Sequence, residues 1–217
     1  MLTLTSWRTP ATDYPDAELG NVRIETVKYR RGYYRCYGLR GHQVYQVVNP
    51  IAIRGLTIDG KTWMVDDPPH WWAMEEHAQF YRGHVLVAGL GLGLIVHTLA
   101  ANPNVSKITV VEREKNVIDL VSPYIPAVEI ERGDFWQWDG PTPDGVFFDL
   151  FVGNGRELVP DALRAYVQMF QWFPGANIRI HGFNNDWFHR LPLAESWSRR
   201  THSAVDSQPP SAGHQLY

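Results

Sequence analysis

Three glycines stand at alternate positions in Val85-Leu-Val-Ala-Gly89-Leu-Gly91-Leu-Gly93-Leu94, directly after a short apolar run and directly before an apolar helical pattern. Residues without a Cβ let a chain turn sharply out of a buried strand and bring its backbone against a ligand at the start of a helix. A tight strand-to-helix turn of purely structural purpose would carry the same glycines, so the assignment depends on what shares its edge. Glu112 closes the strand Ile108-Thr-Val-Val and lies 19 residues past Gly93. That is close to the ~20-residue offset at which nucleotide-binding folds set an acid on the ribose hydroxyls. A carboxylate suits a cis-diol because it accepts two hydrogen bonds. The alternative is an acid that merely favours the start of the next helix.

Two further acids fall at the ends of neighbouring strands. Asp134, in Gly133-Asp134-Phe135, is placed to accept from an exocyclic adenine amine, with Phe135 lining the base pocket; the alternative is an ordinary turn. Asp149 ends Gly145-Val-Phe-Phe-Asp149, at the carboxyl edge where open α/β sheets bind ligands. It is the candidate catalytic residue, as a base or as an anchor for an acceptor; the alternative is a carboxylate that only bonds the loop or the ligand amine. Asp66 and Asp67, before Pro68-Pro69, and Glu76 on the following helix are candidates for the acceptor side, against a solvated acidic surface. His77 and His181 could approach the same place or be satisfied core residues. No His-x-His or His-x-x-x-His pair supports a metal site.

The elements that must hold these residues can be read from periodicity. From Asn21 to Val65 apolar and polar residues alternate, as in Val22-Arg-Ile-Glu-Thr-Val-Lys-Tyr, with turn signals at Arg31-Gly32 and Asp59-Gly60. Pro68-Pro69 stops any strand, and Trp71, Trp72, Met74, Ala78 and Tyr81 predict a helix over His70 to Tyr81. Strands Val85 to Ala88, Lys107 to Val111, Val128 to Glu131, Val146 to Phe151 and Asn177 to His181 then alternate with helices Leu92 to Ala101, Asn116 to Ser122 and Pro160 to Phe173. The expected fold is α/β: a Rossmann-like, mostly parallel sheet with helices on both faces, preceded by a small antiparallel β-rich N-terminal subdomain. The expected division is 1–67, 68–200 and a mobile tail, 201–217, whose Ser207-Gln-Pro-Pro-Ser-Ala-Gly has too little apolar content to order itself.

Composition sets outer limits. Twenty Lys and Arg against 23 Asp and Glu give a formal charge of -3 across 217 residues, so no global field attracts nucleic acid or anionic lipid. No apolar run approaches the ~20 residues of a spanning helix. Cys36 is alone, which suits a reducing compartment and a small buried hydrophobe. The first residues lack a basic stretch followed by a long apolar run, so the expected location is cytoplasmic. The third glycine comes one residue early for a dinucleotide fingerprint, and no Gly-Lys-Ser/Thr follows, which argues against nicotinamide, flavin and triphosphate ligands.

With these residues in place, Leu56 to His181 resembles the class I S-adenosylmethionine-dependent methyltransferases, and within them the spermidine-synthase-like branch. The likeness rests on Leu56-Thr-Ile-Asp-Gly-Lys-Thr-Trp, the glycine turn, Val110-Val-Glu-Arg-Glu, Gly133-Asp-Phe and Phe147-Phe-Asp-Leu. It implies S-adenosyl-L-methionine as cofactor, with Gly89, Gly91 and Gly93 cradling its amino acid part, Glu112 on the ribose and Asp134 at the adenine. Leu90, Arg113 and Phe135 are their cofactor-binding neighbours. Where aminopropyl-transferring members of that branch carry an Asp inside the turn, a Gln in the lead-in strand, Tyr-His-Glu in the helix and a second Asp after the fourth strand, this chain has Leu92, Trp63, Trp72-Ala-Met and Val152. The expectation is therefore methyl transfer to a small-molecule acceptor. Aminopropyl transfer to a polyamine and a catalytically reduced binding protein are the alternatives. Little chain follows the last parallel strand before the tail, so the expected sheet is either curtailed or covered by a partner subunit, as in a homodimer. No Asn/Asp-Pro-Pro-Tyr/Phe run points to nucleic-acid bases.

Overall fold

The computed structural model describes residues 1–38, 41–152, 158–183 and 185. The first part is β-rich: β1 (Leu2–Leu4), a 3-10 turn (Pro10–Asp13), β2 (Ala17–Leu19), β3 (Val22–Tyr29), β4 (Gly32–Gly38), β5 (Gly41–Val47), β6 (Ile51–Ile58) and β7 (Lys61–Val65). One sheet has the order β2-β3-β6-β7 and is antiparallel throughout. Its last hairpin turns at Asp59 and Gly60, both at positive φ, as a two-residue turn between twisted strands requires. The other sheet, β1-β5-β4, departs from the expected antiparallel pattern in one pair, since β1 runs parallel to β5.

The second part alternates α1 (Pro68–Ala78), β8 (Gly83–Ala88), α2 (Leu94–Ala100), β9 (Val105–Glu112), α3 (Lys115–Val121), β10 (Glu129–Arg132), β11 (Gly145–Phe148), α4 (Val159–Trp172) and β12 (Asn177–Ile180). The five strands form one parallel sheet in the order β10-β9-β8-β11-β12. The chain thus runs outward from β8 in one direction and returns to β8's other side, a doubly wound Rossmann-like arrangement. Successive strand residues serve opposite faces. Val85, Val87 and Phe147 pack with α1, α2 and α3, while Leu86, Ala88, Val146 and Phe148 pack with α4.

Two helix starts differ from the sequence expectation for physical reasons. α1 begins at Pro68 rather than His70, because Asp67 caps it and proline at the first helical positions lacks an N–H that would go unbonded. α2 begins at Leu94 because Gly93 is left-handed and cannot be its first turn. Between β10 and β11 the chain makes only a 3-10 turn, Phe135–Gln137, seeded by Asp134, where a full crossover helix would ordinarily lie. The expected 201–217 tail, and the residues between 185 and 201, lie outside the described residues.

The first core is continuous across the expected boundary at 67. Tyr14, Val22, Ile24 and Leu56 from the β-rich part are buried with Met74 of α1 and with Leu90, Leu92 and Leu94 of the glycine turn. No helix among the described residues is long and apolar enough to cross a membrane.

A Cβ on Gly93 would stand 2.4 Å from Ile125 Cγ2, at a φ of 69°. Left-handed backbone and overpacking each cost about 1–3 kcal/mol. Gly93→Ala is expected to lower unfolding stability by about 2–4 kcal/mol in urea titrations followed by circular dichroism.

Candidate functional site

In a parallel sheet every strand ends on the same side, so the residues that follow the five strands form one row. Ala88 pairs with Val111 and Phe148, Phe148 with Ile180, and Arg132 with Glu112. Gly89, Glu112, Asp149 and His181 therefore stand at one edge, with Asp134 two residues beyond β10. The structure brings together the four features on which the sequence reading rests.

The turn is shaped by its neighbours. Gly89, Gly91 and Gly93 all have positive φ, at 91°, 52° and 69°. A Cβ on Gly89 would meet the Asp149 carbonyl oxygen at 2.8 Å, and one on Gly91 would meet Met64 Cε at 2.7 Å. The Leu92 amide donates to Met64 Sδ at 3.3 Å, and the Tyr14 hydroxyl donates to the Leu92 carbonyl at 3.1 Å. The glycines are thus required by close protein packing on the side their side chains would occupy. Leu90 is buried in the core and contributes its backbone: its N–H donates to Glu112 Oε2 at 2.9 Å. The second Glu112 oxygen, Oε1, accepts from the Glu114 N–H at 2.8 Å. Each oxygen keeps a further lone pair. Arg113 is exposed beside it.

Asp134 is exposed, with Oδ1 accepting from the Trp136 N–H at 3.0 Å. Phe135, expected to line a base pocket, instead points into the second core. It is 2% exposed and packs against Trp136, Phe148 and Phe173.

The acceptor-side acids separate into three roles. Asp66 is fully buried: it accepts from Thr9 Oγ1 and from the Arg54 N–H, both at 2.5 Å, and its carbonyl accepts from Trp7 Nε1. Its carboxylate pins the N-terminal segment to β6 and is enclosed rather than open to an acceptor. Glu76 is half-buried on the side of α1 that packs toward β4, near Cys36. Only Asp67 reaches the edge, and it does so through a residue the sequence reading passed over. Asp67 Oδ1 accepts from the His70 N–H at 3.2 Å and from His70 Nδ1 at 2.6 Å. The signal for this pair was Asp67-Pro-Pro-His70, an N-cap acid three residues before a side chain able to reach back to it.

Charge at this edge is confined. Burial pushes the Asp149 carboxyl up to about 6, with a positive His70 opposing. Burial alone would lower His70, but the Asp67 hydrogen bond and the charges of Asp67, Asp149 and Asp66 outweigh it and raise its pKa. Behind it lie two further imidazoles, with His70–His181 and His181–His77 ring centroids 5.6 and 5.8 Å apart. Burial, then a charged His70, holds His181 down to about 3. Burial, His181 and Arg179 hold His77 well below its ordinary range. Two clefts among the described residues, of about 350 and 330 Å³, lie away from this edge, one among Trp136, Trp138 and Trp172 and one beside Lys107 and Glu129.

No family model matches the chain, and no curated protein is significantly similar to it. Among solved structures, the chain is similar to the SAM-bound amino pentose methyltransferase of Micromonospora echinaspora involved in calicheamicin biosynthesis, with 21% identity over 57% of this chain and 52% of that one and a TM-score of 0.41. It is also similar to a dimethyladenosine transferase from Plasmodium falciparum, with 16% identity over 47% and 37% and a TM-score of 0.34. The YcgJ protein of Bacillus subtilis matches with 20% identity over 46% and 44% and a TM-score of 0.33. The chain spans about half the length, or less, of these structures.

His77 stays neutral when folded, whereas the unfolded chain protonates it below about pH 6.5. Unfolding therefore takes up a proton, and His77 lowers stability progressively as the pH falls below that value. Relative to the wild type, His77→Leu is expected to gain up to about 1.4 kcal/mol per pH unit between pH 6.5 and 5, measured by urea unfolding at a series of pH values.

Proposed function

We propose that this chain is an S-adenosylmethionine-dependent methyltransferase acting on a small-molecule acceptor. The observation that carries this reading is Glu112. A carboxylate at the end of the strand next to the glycine turn holds that turn by the Leu90 N–H while keeping acceptor capacity on both oxygens.

The donor set fits an adenosyl ligand. Glu112 would accept from the ribose hydroxyls, and Asp134, exposed and with only one oxygen engaged, from the adenine amine. Gly133 leaves open space beside it, with no atom within 4 Å of where a Cβ would be. The bound cofactor supplies a methyl group on a positively charged sulfonium. What the protein must add is position and proton handling. The glycine turn and Glu112 fix position. Asp149, poised near neutrality, supplies a negative charge at the edge that is present above about pH 6 and absent below it.

Two measurements test this. Titration calorimetry should show S-adenosylhomocysteine binding, and Glu112→Gln, which replaces one acceptor oxygen by a donor, should weaken it by about tenfold or more. Absence of binding to the wild-type chain would sink the proposal. Between pH 5 and 7 the wild type should increasingly favour S-adenosylmethionine over S-adenosylhomocysteine as Asp149 ionises, and Asp149→Asn should show a clearly smaller change, concentrated in the lower half of that range.

A further inference from the structure

Asp67 and His70 do more than cap a helix, because a cap alone would not set a carboxylate-backed imidazole against the ligand edge. Nδ1 of His70 is held by Asp67 at 2.6 Å, which fixes the proton on that nitrogen and leaves Nε2 as the basic one. The ring is 35% exposed, so it is reachable, while Asp67 behind it is 13% exposed. The His70 ring is in contact with that of His181 at the end of β12 and within reach of the charge of Asp149, which adjoins Gly89 of the turn. The titratable and charged groups around it are therefore Asp67 at the entry to α1, with the enclosed Asp66 behind it, Asp149 after β11 and His181 after β12, with His77 two turns further along α1. His77 and His181 stay neutral, so of the three imidazoles His70 is the one arranged to take a proton.

Resting on the cofactor reading above, we propose that His70, oriented by Asp67, is the proton acceptor of this site, and that the acceptor substrate is protic, bearing an O–H or N–H at the atom that is methylated. The balance is simple. The acceptor's proton passes to His70 Nε2, giving an imidazolium stabilised by Asp67. The electron pair it leaves forms the new bond to the methyl carbon, and the pair of the broken carbon–sulfur bond stays on sulfur. A thioether or tertiary amine acceptor has no proton to surrender and would have no use for this pair.

The test needs no knowledge of the acceptor, because S-adenosylmethionine carries a positive charge at sulfur and S-adenosylhomocysteine does not. Histidine resonances of isotope-labelled full-length chain are titrated by NMR alone and with each ligand, with His70→Gln assigning the signal. In the wild type, S-adenosylmethionine should lower the His70 midpoint by about half a unit or more relative to S-adenosylhomocysteine, as a unit charge at close range requires. Asp67→Asn should lower that midpoint in every state, and asparagine is as good an N-cap, so α1 keeps its start. If both ligands bind and the His70 midpoint is the same with each, the proton-acceptor role is overturned while the cofactor reading stands. An Asp67→Asn midpoint equal to that of the wild type overturns the dyad. If neither ligand binds, both readings fall.

Discussion

The site depends on a backbone constraint: three left-handed residues within five, at Gly89, Gly91 and Gly93, each pressed by a different part of the molecule. Asp149 and Leu150 crowd the first, Met64 of β7 the second, Ile125 the third. An ordinary side chain at any of them would meet both an unfavourable φ and an occupied space. The turn is therefore fixed from outside as much as by its own sequence. Its position sets where Leu90 presents an N–H, and that N–H in turn sets Glu112.

Much of this was legible in the sequence. The alternation of short strand-like runs with helical patterns marked the five parallel strands, and the distance from Gly93 to Glu112 placed an acid at the neighbouring strand end. Local chemistry decides such features, so local reading finds them. Asp66 and Phe135 were misjudged because their roles are tertiary. A carboxylate next to two prolines reads as surface until Thr9 and the Arg54 amide are found bonded to it. An aromatic after a strand reads as pocket lining until the missing crossover helix turns it inward. His70 escaped notice for a related reason: its partner is only three residues away, but its importance comes from Asp149 and His181, which the chain delivers some 80 and 110 residues later.

Electrostatics at the edge follows from burial on one side and exposure on the other. Glu112 and Asp134 sit where backbone amides and solvent share them. Asp149, His181 and His77 are drawn toward the sheet, and desolvation shifts each toward its neutral form. His70 lies between these zones and is held toward its charged form by Asp67 and its acidic neighbours.

The contacts that Met64 and Tyr14 make with the turn also bear on modularity. A Rossmann-like half is commonly regarded as a portable cassette that carries its binding loop with it. Here the loop's mould is divided, since its glycines lie in the cassette while the sulfur and the hydroxyl that hold Leu92 in place belong to the strands and turns before it. Grafted elsewhere, the segment from α1 onward would carry the glycines without the grip that shapes them. The lead-in strands and the sheet are in that sense a single inherited unit.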